Sequence, residues 1–182
     1  MVYAGSEDDQ RSNPALESLL SEQAFPVSVE WLDNARVTRY SAPTSALDER
    51  PVEATFADQM ELISCAFEPS PSAPAEVLHV SLSWRSLHSA EGDYTVFVHL
   101  IDESERVWAQ HDGEPAGGSR PTSSWQPGEE ITDHHGLALP ADLPPGEYRL
   151  AAGCTTRQPG SGSRSSLTRG PHPATECWWV LS

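Results

Sequence analysis

Short segments of this chain alternate apolar and polar residues with a period of two, most clearly over 77–85 and 94–101. Sixteen Pro and twelve Gly separate such segments, which favours short elements joined by turns over long helices. About seven strands of this kind, half-apolar and closed by Pro/Gly turns, predict an all-β chain. The expected architecture is an immunoglobulin-like two-sheet β-sandwich with a short, partly disordered or helical N-terminal appendage.

Taken in order, residues 1–13 are polar and charged, a composition that predicts disorder. Pro14 opens an amphipathic run placing Leu16, Leu19 and Leu20 on one helical face, ended by Pro26. The segment from Val27 to Arg39 is ambiguous and reads as a helical turn around Trp31-Leu32 followed by a short strand. Ser41 to Pro51 is rich in Pro, Ser and acidic residues, so a domain boundary is expected near residue 52, dividing an appendage (1–51) from the sandwich (52–182). A strand centred on Met60-Glu61-Leu62-Ile63 ends at the turn EPSPSAPAE. Val77 to Arg85 sets Leu78, Val80, Leu82 and Trp84 on one face and His79, Ser81 and Ser83 on the other.

Tyr94 to Asp112 predicts a hairpin about Asp102-Glu103-Ser104-Glu105. Val96, Val98 and Leu100 form its aliphatic face. Symmetric pairing sets Leu100 opposite Val107, Val98 opposite Ala109 and His99 opposite Trp108. The other face then carries Phe97, His99, Trp108 and Gln110. Residues 113–128 form a long loop in which Trp125 is either a binding residue or a plug for the core. A weaker strand over 130–139, a Leu143-Pro144-Pro145-Gly146 turn, a strand from Glu147 to Cys154, a flexible SGSRSS loop and a closing strand Cys177–Leu181 complete the series.

At 182 residues the chain accommodates one domain plus its appendage. A net charge of −16 opposes nucleic acid or an anionic membrane as partner, and its plainest consequence is solubility. No stretch approaches the roughly 20 apolar residues of a membrane span, so direct insertion is not expected. The acidic start MVYAGSEDDQ lacks a signal-peptide core, which by itself predicts a cytoplasmic protein. Three Cys without CxxC spacing give no zinc motif. Cys154 and Cys177, on strands expected to pair, are candidates for a disulfide that leaves Cys65 buried and free. Three reduced thiols are the alternative.

No catalytic, metal or cofactor site is expected. His134 and His135 are neighbours on one strand and point to opposite faces, and His111-Asp112 would need a distant ligand such as Asp133. Glu129, Glu130 and Asp133 read as a solvated strand edge rather than a hydrolytic pair. Ser81, Ser83, Ser123 and Ser124 lie in no GxSxG elbow. The ligand-binding candidates are Phe97, His99, Trp108 and Gln110, with Trp125. Flat rings beside amide and imidazole groups suit a sugar, unless a strand or the 113–128 loop covers the face.

DYTVFVHLID (93–102), AQHDGEPAGG (109–118), RPTSSWQPGEEI (120–131) and LPADLPPGEYRLAAG (139–153) resemble one module. It is the C-terminal, extracytoplasmic β-sandwich of bacterial membrane proteins similar to dolichyl-phosphate-mannose-type protein mannosyltransferases. FADQMELIS (56–64) is similar to its first strand, and EWLDNARVTRY (30–40) to the segment joining it to the membrane body. The chain departs from that pattern at Glu103-Ser104-Glu105, where the family has Gly, and at its CWWVL ending. The multi-span body with the transfer carboxylates has no counterpart here. The resemblance implies an extracytoplasmic, non-catalytic accessory module with a glycan or membrane-protein partner. A purely structural or assembly domain is the rival expectation, and a glycoside hydrolase a distant third.

Overall fold

The computed structural model describes residues 2–6, 14–33, 35–68, 76–90, 92–156 and 175–181, the strands at 2–6 and 175–181 by their backbone. The elements are β1 (Val2–Ser6), α1 (Pro14–Gln23), β2 (Phe25–Leu32), β3 (Ala35–Ser41), β4 (Asp48–Phe56), β5 (Met60–Phe67) and β6 (Val77–Ser86). They continue with β7 (Tyr94–Asp102), β8 (Val107–Gly113), two 3-10 turns (Pro115–Gly118 and Thr122–Ser124), β9 (Glu130–Ala138), β10 (Gly146–Thr156) and β11 (Thr175–Leu181). Residues 7–13, most of the EPSPSAPAE turn and the SGSRSS loop lie outside the described residues.

The chain is an all-β sandwich. One sheet has the order β4-β5-β6-β9 and the other β11-β10-β7-β8. The alternation that defined the strands also defines the core. Leu78, Val80, Leu82 and Trp84 of β6 meet Val96, Val98 and Leu100 of β7 and Tyr148, Leu150 and Ala152 of β10, all buried in one cluster. On β5 strict alternation would turn Cys65 and Phe67 outward once Met60 and Leu62 face in. A register shift between Leu62 and Ser64 resets the parity, so that Cys65 and Phe67 also enter the core.

The appendage is a third sheet, of order β1-β3-β2. Strand β1 stands within the segment expected to be disordered, and Val27–Arg39 is a β2–β3 hairpin rather than a helical turn. This sheet packs on the outer side of β9 and β6. Gly136 of β9 permits that approach: a Cβ there would stand 2.8 Å from Val27 Cγ2 and 3.1 Å from the Pro26 carbonyl oxygen. Leu20, Phe25 and Val27 are buried in the seam. At about 1.5–3 kcal/mol for each fully buried side chain, that seam is too costly to open for the appendage to be a loose tail.

The expected boundary near residue 52 needs correction, because β4 starts at Asp48 and runs through it to Phe56. The two parts meet instead in the connection between Ser41 and Asp48. The polar residues of β4 resemble a linker in sequence but belong to a strand. Strand β4 carries them because its outer positions face water.

Candidate functional site

The β7–β8 hairpin forms where predicted, but its register differs. Leu100 pairs with Ala109, His99 with Gln110 and Val98 with His111, with an irregularity between Leu100 and Ile101 that leaves Trp108 as the extra residue. The cause lies in the turn. Asp102 Oδ1 accepts hydrogen bonds from the backbone N–H of Ser104 (2.8 Å), the Ser104 hydroxyl (2.7 Å) and the backbone N–H of Arg106 (3.0 Å). Its Oδ2 accepts from the indole N–H of Trp108 at 2.7 Å. The Ser104 and Trp108 donors hold the Asp102 carboxyl down at about 2. Glu105 takes φ 66°, the left-handed conformation for which Gly is favoured.

Trp108 is thereby drawn off the outer face. It packs half-buried against the core cluster, with the Arg106 guanidinium 3.8 Å from its ring centroid. The expected pairing of His99 with Trp108 is therefore replaced by one with Gln110. Phe97, His99, Gln110 and Asp112 share what remains of that face. Phe97 lies flat over Gly153, where a Cβ would meet its ring at 2.6 Å. Buried His99 sits 4.9 Å from the Phe97 ring and donates from Nε2 to Asp112 Oδ1 at 3.1 Å. Its hydrogen-bonding capacity on that side is spent within the protein.

Trp125 is the core plug of the two alternatives. It is 2% exposed, and its indole N–H donates to the Arg120 carbonyl at 3.0 Å. Its loop is tied at several points: Tyr94 N–H donates to Thr122 Oγ1 (2.9 Å), the Thr122 hydroxyl to the Gly92 carbonyl (3.0 Å), and Arg120 pairs with Glu129. Beneath the loop, between edge strands β8 and β9, runs a buried polar chain. Ala116 N–H donates to Asp133 Oδ1 (2.8 Å), His135 Nε2 donates to Asp133 Oδ2 (2.8 Å), and His135 Nδ1 lies 2.8 Å from His111 Nδ1. Burial, reinforced by His135, pushes the His111 imidazole down to about 4 against the opposing pull of Asp133 and Asp112.

Glu129 and Glu130 do not converge with Asp133. Glu129 is held by Arg120, Glu130 by Arg85 at 2.8 Å on the outer side, and Asp133 is inside. Among the described residues no group of three His, Cys, Asp or Glu is placed to hold a metal ion. The expected Cys154–Cys177 bridge is also overturned. The register sets Cys177 opposite Leu150, while Cys154 lies four residues further along β10, about 13 Å away at the rise of a strand. Neither Cys65 nor Cys154 is in a disulfide, and burial pushes the Cys154 thiol up to about 12.

A second polar chain lies at the seam between the appendage sheet and the sandwich. His79, on the outer face of β6, places Nδ1 2.8 Å from Glu68 Oε2 and Nε2 3.0 Å from Ser41 Oγ. His79 and Glu68 are buried, whereas Ser41, the last residue of β3, is half-buried. The Phe25 ring, paired with Ser41 across β2–β3, meets the His79 ring edge-on at 5.0 Å. No local pattern announces this group. Its members come from a linker-like stretch, a Pro-rich turn and the polar side of an alternating strand.

No family model matches the chain, and no curated protein matches it. Among solved structures it is similar to a β-glucosidase from Listeria innocua. The complex with isofagomine aligns at 15% identity over 84% of this chain and 19% of that one, with a TM-score of 0.38. The glucose complex aligns at 14% identity over the same shares, with a TM-score of 0.39. The chain thus spans about a fifth of the length of those structures, and a likeness this distant carries no argument about activity.

Proposed function

We propose that this chain is an accessory contact module whose appendage sheet docks on a partner protein. The observation carrying this reading is where large apolar side chains stay in water. Among the described residues these are Leu19, Val29, Trp31 and Leu32, all on the appendage, with Trp31 58% and Leu32 59% exposed. A protein surface suits them best. The aliphatic Val29 and Leu32 offer nothing to sugar hydroxyls, and a net charge of −16 opposes an anionic bilayer. An exposed Trp with exposed aliphatic residues on the same strand is also what an interface anchor looks like.

The resemblance to an extracytoplasmic module of membrane glycosyltransferase-like proteins directs the search to a membrane-protein partner. Glycan binding is the weaker reading, since Trp108 and Trp125 are turned to the core and His99 is engaged by Asp112. The test places a photo-crosslinking side chain at Leu32 of the full chain and mixes it with the membrane protein encoded by the neighbouring gene. One crosslinked species that is lost with Trp31→Ser, at unchanged melting temperature, is expected. No crosslink, together with oligosaccharide binding that is insensitive to Trp31→Ser, would replace this reading with the glycan one.

A further inference from the structure

We infer that Ser41 is a nucleophile activated by His79, with Glu68 as the positioning residue, so that the seam between the appendage sheet and the sandwich supports acyl transfer on ester substrates. This stands apart from the contact reading, which uses the opposite end of the β2–β3 hairpin.

A hydroxyl becomes a nucleophile when a base within hydrogen-bond reach takes its proton and a third group orients that base. Such a constellation is recognised by its geometry and roles, not by a sequence motif. Here Ser41 Oγ and His79 Nε2 are 3.0 Å apart, and His79 Nδ1 and Glu68 Oε2 are 2.8 Å apart. A carboxylate only accepts, so Glu68 fixes the hydrogen of His79 on Nδ1 and leaves the Nε2 lone pair facing the serine. The burial is graded in the order such chemistry needs. Glu68 and His79 are shielded, while half-buried Ser41 adjoins a connection in which Ala42, Thr44 and Ser45 are exposed. The serine comes from the appendage and the other two groups from the sandwich, so docking of the appendage completes the site.

The step balances with water as co-substrate. Ser41 Oγ forms a bond to the ester carbonyl carbon while its proton passes to His79 Nε2. The bond to the leaving oxygen then breaks, and that oxygen takes the proton and departs as the alcohol. Water adds to the acyl-serine by the same route, losing its proton to His79, and the acid leaves as Ser41 recovers a proton. The sum is ester plus water to acid plus alcohol.

Diisopropyl fluorophosphate, applied to the full chain at neutral pH, is the probe. The expected product is a single adduct that peptide mapping places on Ser41, formed as the Oγ–P bond replaces P–F and fluoride is released. Ser41→Ala removes the adduct, and His79→Gln slows its formation by about 100-fold or more, the share a positioned general base supplies. Glu68→Gln slows labelling of the folded fraction, and Glu68→Asp restores part of the rate. A purely structural Glu68 would move the melting temperature and leave the rate of the folded fraction alone. An unlabelled wild type, an adduct on Ser45 or another hydroxyl, or a Glu68→Gln rate equal to wild type would each overturn the inference. Mapping on wild type decides even where a variant fails to fold.

Discussion

Two buried histidines of this protein each lean on a carboxylate at 2.8 Å, His79 on Glu68 and His135 on Asp133, yet the two pairs end differently. Glu68 takes the Nδ1 side of its imidazole and leaves Nε2 for a hydroxyl. Asp133 takes the Nε2 side and leaves Nδ1 for a second imidazole, His111. The first chain opens at a half-buried serine in a seam between sheets. The second is closed under a tied loop, and Asp133 also accepts the backbone N–H of Ala116. The same pair of residue types is thus oriented toward chemistry in one place and toward holding two sheet edges together in the other.

The largest expected consequence of that difference is in stability. Asp133→Ala strands two buried donors, Ala116 N–H and His135 Nε2–H, at about 1–3 kcal/mol each, so a loss of about 3 kcal/mol or more is expected in urea unfolding. Glu68→Gln retains an acceptor for His79 and should cost about 1 kcal/mol. Equal losses from the two substitutions would erase the distinction.

A smaller effect follows from acid. His111 titrates at about 4 in the fold against 6.5 in the free side chain, so between these values the unfolded chain binds the extra proton. Stability therefore falls as pH drops through this window, by up to about 1.4 kcal/mol per pH unit, and carries no such penalty above about 6.5. His111→Gln should flatten the slope over pH 6.5 to 4 relative to wild type. A slope that persists in the variant would assign it to other groups.

How far the sequence discloses these sites differs between them. The hairpin limits and its aliphatic face were legible, because a period-two pattern needs only local residues. Its register was not, because four hydrogen bonds to one carboxylate, Asp102, set the turn and push Trp108 into a bulge. The parity shift at Ile63 on β5 is likewise a response to packing. The β2–β3 hairpin stayed ambiguous since its burial depends on Gly136, a residue about a hundred positions away that supplies only an absence of side chain. Ser41, Glu68 and His79 were each explicable alone as turn or surface residues, and only the fold of the appendage back onto β6 brings them together.

The most direct measurement of the contrast is the tautomer of each histidine, read from nitrogen-15 chemical shifts and long-range proton couplings of the full chain at neutral pH. Hydrogen on Nδ1 and none on Nε2 is expected for His79, so that Ser41 is the donor to it. For His135 the hydrogen is expected on Nε2, directed to Asp133. Hydrogen on Nε2 of His79 would make Ser41 an acceptor and contradict the assignment of that seam as a nucleophile's site.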